Sequence, residues 1–296
     1  MNLVESKAGK FEGLLQNGCH QFFGIPYAKY NQRWEESFLI EEEICFKASK
    51  KGDSAPQTRS DDQSQSGASF FQDRSLSKQS EDCLTLNICS NNINAKNPVM
   101  IWIHGGALVT GGSSSIMYDL EHLAKKGIVV VSINYRLGPL GFLRLDEATN
   151  GLVNSSGNEG LIDQRNAIKW VKENISSFGG DPNNITIFGE SAGSWSCNLQ
   201  IAAGHDNLFQ KAICQSGGLD AIATKEKANQ WAELFIDQFE KDGHKVSDLR
   251  SCDWNSIINT AKKLKHSRLS DGNTSKIGID ATIPWGYDRS GFMSVQ

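Results

Sequence analysis

The sequence has little that would mark a metal-binding, disulfide-stapled or membrane-spanning protein. Its seven cysteines are odd in number, are scattered along the chain and include no C-x-x-C pair. This arrangement argues against both a disulfide framework and a zinc site. The longest apolar runs, residues 99–103 and 128–133, have the length of strands rather than of a membrane span. A phosphate-binding glycine loop is also lacking, so we expect no metal, no cofactor and no membrane insertion.

The sequence also has no excess of basic residues. The formal net charge is −4, and no basic cluster stands out, so the sequence gives no electrostatic reason to expect a nucleic-acid partner. The first seven residues contain no apolar segment of the kind that a signal peptide needs. We therefore expect a cytoplasmic protein, while its oligomeric state is left open. The 296 residues, 39% of them hydrophobic, are enough to bury a large core.

Residues 49–81 are rich in Ser, Gln, Asp and Lys and hold one apolar pair, Phe70-Phe71. Such a segment buries little surface, and it predicts a long polar surface loop rather than a domain boundary. A lid or a pocket rim is the alternative interpretation.

After residue 81, apolar strand-like runs alternate with helical patterns. This alternation predicts a mostly parallel central sheet with helices on both faces, in which ligands gather at the carboxyl ends of the strands. Residues 225–265 predict a more polar helical region. The predicted strands cover residues 84–89, 98–103, 128–133, 185–188 and 212–215, the predicted helices cover residues 120–126, 161–178 and 192–202, and the apolar face of the last helical region comprises Trp231, Leu234, Phe235 and Phe239.

The most informative pattern is the G-x-S-x-G pentapeptide that comprises residues 189–193. It follows an apolar strand and opens a helix, which is the setting of a nucleophile elbow that exposes the Ser191 hydroxyl above the sheet. A side chain at Gly189 or Gly193 would collide with the neighbouring strand and helix. A serine in this position needs a base that takes its proton and N–H groups that stabilise an oxyanion.

The strand at residues 98–103 runs directly into His104-Gly105-Gly106-Ala107, a glycine-bearing turn. Turns of this kind supply oxyanion donors in esterase folds, although the same residues also suit an ordinary tight turn. The predicted donors are the backbone N–H groups of Gly106, Ala107 and Ala192. Ala192 also begins a helix, whose N-terminus favours negative charge.

Several further motifs occur in one order along the chain, and together they resemble those of the type-B carboxylesterase/cholinesterase family of α/β-hydrolases. The resemblance runs from about residue 9 to residue 218 and fades afterwards. It implies one α/β-hydrolase domain over residues 1–296 that lacks the C-terminal part of the fold. The motifs are FFGIPYA at residues 22–28, SEDCLTLN at 80–87, NYRLG at 134–138, GNEGLIDQ at 157–164, FGGDP at 178–182 and QSG at 215–217.

Membership of this family implies a Ser–acid–His triad that cleaves carboxylic esters through an acyl-enzyme. Only Ser191 has a counterpart here, since the family's acid and histidine lie farther downstream, and we expect neither in this chain. His205, His244 and His266 are interpreted as surface residues, and His104 as a residue that orders the oxyanion turn. The chain is therefore expected to show almost no turnover alone.

The family resemblance also bears on a few neighbouring residues. Arg136 and Asp163 are expected to form a structural ion pair, and Cys83 an unpaired thiol, because Ala55 replaces the partner cysteine of secreted members. Glu190 either tunes the site electrostatically or is a generic acidic neighbour.

The main functional hypothesis is a serine hydrolase that acts on a small-molecule carboxylic ester. The alternatives are a non-catalytic interaction protein on the same fold, since the family contains adhesion relatives, and a truncated, non-functional product. The persistence of Ser191 and of the glycine turn favours the hydrolase.

Overall fold

A computed structural model describes residues 2–58, 78–204, 207–218 and 223–269. Within these ranges the N-terminal part is built of short strands, and a helix follows most of the later strands. The strands are β1 Asn2–Ser6, β2 Gly9–Gln16, β3 Cys19–Pro26, β4 Ala28–Lys29, β5 Phe38–Leu39, β6 Ile44–Lys47, β7 Thr85–Ser90, β8 Asn97–Ile103, β9 Val129–Ile133, β10 Gly180–Glu190 and β11 Lys211–Gln215; the helices are α1 Leu120–Ala124, α2 Gly138–Phe142, α3 Glu159–Asn174, α4 Ala192–Ala202, α5 Lys225–Lys241 and α6 Trp254–Leu269.

One mixed sheet organises the described residues. Its strand order is β1-β2-β3-β7-β9-β8-β10-β11, and β6 pairs with β2 beside this path. The strands from β9 to β11 are parallel, whereas β1, β2, β3, β7 and β9 pair antiparallel along the path. β8 and β10 are direct neighbours, so the two motifs that follow them emerge at the same edge of the sheet.

Helices cover both faces of this sheet, as the near-continuous apolar strands predict. Along β9, Val129 and Val131 face the main core, which also includes residues of α3 and α4. Val130 faces the opposite side, where it packs with Ala124 of α1. This alternation explains why β9 is buried along its whole length and has no polar face.

The structure corrects several element boundaries. β10 begins at Gly180 rather than at residue 185, because Gly180 already pairs with Asn97 before a register shift. α2 was not predicted, since its sequence GPLGF carries helix breakers. The predicted helical region at 225–265 is divided into α5 and α6. Leu234, predicted on the buried face of α5, is 40% exposed, while its other predicted apolar residues are buried.

The predicted surface loop at residues 49–81 lies partly outside the described residues, which exclude residues 59–77. Its first part differs from the prediction. Residues 54–57 are buried, and Ser54 forms a bridge with Gln79. Polar side chains are buried here because they hydrogen-bond within the protein.

Candidate active site

Ser191 lies at the junction between β10 and α4, at the carboxyl end of the parallel strands. Its backbone adopts φ 55° and ψ −120°, which is a strained conformation for a residue with a side chain. The Ser191 N–H donates to the Gln215 carbonyl oxygen at 2.9 Å, and the Ser191 carbonyl accepts from the Trp195 N–H at 3.0 Å. The strained turn is thus held by β11 on one side and by α4 on the other.

The two glycines that flank Ser191 allow strand and helix to meet closely. A Cβ on Gly189 would lie 2.5 Å from the carbonyl carbon of Gly193. A Cβ on Gly193 would lie 2.1 Å from the carbonyl oxygen of Ile103 in β8. Both distances are far below van der Waals contact, so the steric reason predicted for these glycines is confirmed.

The glycine turn that follows β8 lies directly against this elbow. A Cβ on Gly105 would lie 2.6 Å from the Glu190 carbonyl oxygen and 3.4 Å from the Ser191 Cβ. Gly106 and Ala107 both have positive φ angles, 108° and 53°. The fold therefore brings together the two motifs that are 85 residues apart in the chain, counted from Gly106 to Ser191.

The predicted oxyanion donors lie on these two adjoining turns. Within the described ranges, no hydrogen bond is formed by the backbone N–H of Gly106, Ala107 or Ala192. Ala192 is the first residue of α4, and the first N–H groups of a helix have no acceptor within it. Such N–H groups can donate to an anionic oxygen at this edge of the sheet.

His104 is completely buried beneath the turn. Its Nδ1 donates to the Gly105 carbonyl oxygen at 2.9 Å, and its ring stacks on Tyr135 with centroids 4.5 Å apart. The Tyr135 hydroxyl in turn donates to the His104 carbonyl oxygen at 2.8 Å. Burial lowers the pKa of His104 to about 4, so the ring is neutral at pH 7. These contacts support the prediction that His104 orders the turn.

Gln57 holds the far side of the same turn, a role that the sequence did not indicate. Its Oε1 accepts from the Thr110 hydroxyl at 2.7 Å and from the Gly111 N–H at 2.9 Å, and its Nε2 donates to the Gly111 carbonyl at 2.8 Å. Gln57 belongs to the segment predicted as a surface loop, and its contact with residue 111 is too distant along the chain for local patterns to predict.

None of the described histidine side chains is hydrogen-bonded to the Ser191 hydroxyl. His20 contacts Asn2, His122 pairs with Asp119, and the ring of His244 stacks on Phe239. His205 and the side chain of His266 lie outside the described residues. Glu190 is exposed beside Ser191, which leaves both interpretations of its role in place.

Arg136 and Asp163 form the predicted ion pair. Two hydrogen bonds of 2.8 Å join the guanidinium to the carboxylate, and both side chains are buried. The guanidinium also donates to the Glu35 carbonyl at 2.7 Å and stacks over the Tyr30 ring at 4.4 Å. The pair joins α3 to the segment after β9, which fits a structural role.

The described residues hold no cluster of His, Cys, Asp or Glu that could bind a metal ion. Among the helices that the model describes, none has the length and apolar character needed to cross a membrane. All seven cysteines are free, including the buried Cys83.

Comparison with known proteins assigns the family. The model of the Carboxylesterase family matches residues 1–284. The chain belongs to this carboxylesterase family. Its mixed sheet, helices and elbow are accordingly those of an α/β-hydrolase, as the motifs predict.

This carboxylesterase chain is similar to relatives that are about twice its length. It is 39% identical over 271 residues to a para-nitrobenzyl esterase of Bacillus subtilis, covering 89% of this chain and 53% of the relative. It is 46% identical over 181 residues to a bile salt-activated lipase of Bos taurus, covering 57% of this chain and 29% of the relative. A solved carboxylesterase of Geobacillus stearothermophilus matches with a TM-score of 0.78 and 34% identity, covering 89% of this chain and 53% of that one.

Proposed function

We propose that this chain carries the nucleophile and the oxyanion donors of a serine hydrolase that cleaves carboxylic esters. The observation that carries the proposal is the contact of the glycine turn with the elbow, where Gly105 approaches Ser191 and Glu190. A catalytic serine and its oxyanion donors must lie about 3 Å from one reacting group, and two adjoining turns can bring them that close. Related enzymes named para-nitrobenzyl esterase and bile salt-activated lipase support an ester as the substrate class.

In the proposed reaction, the Ser191 hydroxyl attacks the ester carbonyl carbon and loses its proton to a base. The carbonyl oxygen becomes an oxyanion that accepts hydrogen bonds from the N–H groups of Gly106, Ala107 and Ala192. The tetrahedral intermediate then expels the alcohol, which takes up the proton, and an acyl-enzyme remains on Ser191. Water attacks the acyl group by the same route and releases the carboxylic acid.

We further propose that the base is not one of the described histidines. His104 has its Nδ1 bonded to Gly105 and its ring packed on Tyr135, and the other three described rings contact residues unrelated to the elbow. A serine without its base retains only the part of catalysis that the oxyanion donors and binding supply, on the order of 10³–10⁴-fold over water in well-studied triad enzymes. We therefore propose that the 296-residue chain turns over esters only slowly. We also propose a cytoplasmic location, which the free cysteines support.

Hydrolysis of a para-nitrophenyl ester by the purified chain tests this proposal, with Ser191→Ala as the comparison and Ile201→Ala, at an exposed position on the same helix, as the control. We expect slow release of para-nitrophenol that Ser191→Ala abolishes and Ile201→Ala retains. Fast turnover that depends on Ser191 would show that a base acts within the chain. Equal rates for the wild type and Ser191→Ala would favour the non-catalytic alternative.

A further inference from the structure

Two thiols meet beneath the elbow, one on α4 and one on β11. Cys214 pairs in register with Gly189, so the two residues direct their side chains to the same face of the sheet. That face is covered by α4, because a Cβ on Gly189 would touch Gly193. Cys197 lies four residues after Gly193, one turn farther along the same side of the helix. The two side chains are close enough for each to shift the pKa of the other.

The two thiols differ in their access to solvent. Cys214 is exposed on the edge strand β11, whereas Cys197 is completely buried. A small oxidant can therefore reach Cys214 first and leave Cys197 as the neighbouring thiol that resolves the product. Burial raises the pKa of the Cys214 thiol, and the neighbouring Ser194 and Cys197 side chains oppose this rise. No role in the proposed ester chemistry involves either cysteine.

We propose that Cys197 and Cys214 form a reversible, peroxide-sensitive disulfide that joins α4 to β11. The Cys214 thiolate attacks one oxygen of a peroxide, the O–O bond breaks, and the departing hydroxide takes up a proton to leave water and a Cys214 sulfenic acid. The Cys197 sulfur then attacks the Cys214 sulfur, the S–O bond breaks, and the hydroxide leaves with the Cys197 proton as a second water. Two thiols are oxidised by two electrons, and one peroxide is reduced to two waters.

A second thiol pair in the same protein provides a matched comparison. Cys19 on β3 and Cys89 on β7 also lie together, in one small apolar cluster, but both are buried. If contact alone decided oxidation, both pairs would react. If an exposed first thiol is required, only Cys197 and Cys214 should crosslink. The exposed Cys45, for which no thiol partner is described, reports how much oxidant each sample has received.

The test treats the folded chain with hydrogen peroxide, quenches the reaction, alkylates the remaining thiols after denaturation and maps peptides without reduction. We expect a crosslinked peptide that contains Cys197 and Cys214, which dithiothreitol reverses, while Cys19 and Cys89 are recovered as alkylated thiols. In Cys197→Ser, we expect dimedone to trap a sulfenic acid on Cys214. In Cys214→Ser, Cys197 should be recovered fully alkylated.

Other results would overturn the proposal. Recovery of Cys197 as a free thiol in samples whose Cys45 is oxidised would do so, as would equally rapid crosslinking of Cys19 and Cys89. The peptide map of the wild type decides the question even if a variant fails to fold. The outcome does not depend on whether Ser191 reacts with esters, so the two proposals can fail separately.

Discussion

The individual residues around Ser191 act mainly by fixing backbone geometry. Ser191 itself is held at a positive φ by the bond from its N–H to the Gln215 carbonyl. His104 and Gln57 hold the glycine turn from opposite sides, one by ring stacking and the other by three side-chain hydrogen bonds. The chemistry proposed for Ser191 therefore also depends on His104, Gln57 and Gln215, which hold the backbone around it in place.

At the residue scale, the state of His104 can be tested directly. Burial lowers its pKa from the ordinary 6.5 to about 4, so the ring should remain neutral throughout pH 5–8. Because the folded-state pKa is depressed, the unfolded chain binds this proton more tightly, and stability is lost as the pH falls from 6.5 through 4. NMR titration of the imidazole Cε1–H resonance should show no protonation above pH 5. A midpoint near 6.5 would contradict the buried, neutral ring.

The Arg136–Asp163 pair makes a second prediction at this scale. Asp163→Asn leaves the buried guanidinium without its counter-charge, and we expect a loss of about 3–5 kcal/mol in the free energy of unfolding. Denaturant titration monitored by tryptophan fluorescence measures this change. Glu42→Gln, which breaks the exposed pair with Lys29, is the control and should leave the midpoint unchanged. Similar midpoints for both variants would contradict the structural role.

At the element scale, the elbow depends on how closely α4 approaches β8 and β10. Gly193→Ala places a methyl group 2.1 Å from the Ile103 carbonyl oxygen, so helix and strand must separate. We expect a loss of about 1–3 kcal/mol in stability and slower reaction of Ser191 with a fluorophosphonate. Thermal unfolding and labelling rates measure the two effects.

The matched control for this variant is Ile201→Ala on the same helix. Ile201 is 47% exposed, and its truncation leaves the contact between α4 and β8 intact. We expect labelling at the wild-type rate. If Gly193→Ala also labelled at that rate, the close approach would not be needed for the elbow.

Local sequence patterns predicted the helix and strands around the elbow but not the buried hydrogen bonds that support it. α4 was predicted with its observed bounds, and β8 to within one residue. Both predictions succeeded because the spacing of apolar residues and the positions of glycines are visible in a short stretch of sequence. The buried hydrogen bonds that Ser54 and Gln57 form with residues 110–114 were not predictable, since these partners lie far along the chain. Ser191, Gly106, Ala107 and Ala192 could be named from motifs, whereas Gln57 and Tyr135 needed the fold.

At the scale of the whole molecule, the chain spans about half the length of the relatives that it matches. The described residues of the chain include the parallel strands that bring the glycine turn and the elbow together. They also include the edge strand β11, whose outer residues are exposed. The site therefore combines a nucleophile and N–H donors without a described base. Ser191 can for this reason react with a probe even though the turnover of esters is slow.

The most direct test of the account is intact-mass analysis of the folded chain after exposure to a fluorophosphonate probe, with Ser191→Ala beside it. We predict slow formation of one adduct on Ser191 and none on Ser191→Ala, because the elbow exposes the hydroxyl next to N–H donors that stabilise the phosphonate oxygen, while no described histidine takes up its proton. An absence of labelling on a chain shown by circular dichroism to be folded would contradict the account. It would mean that this carboxylesterase fold does not activate Ser191.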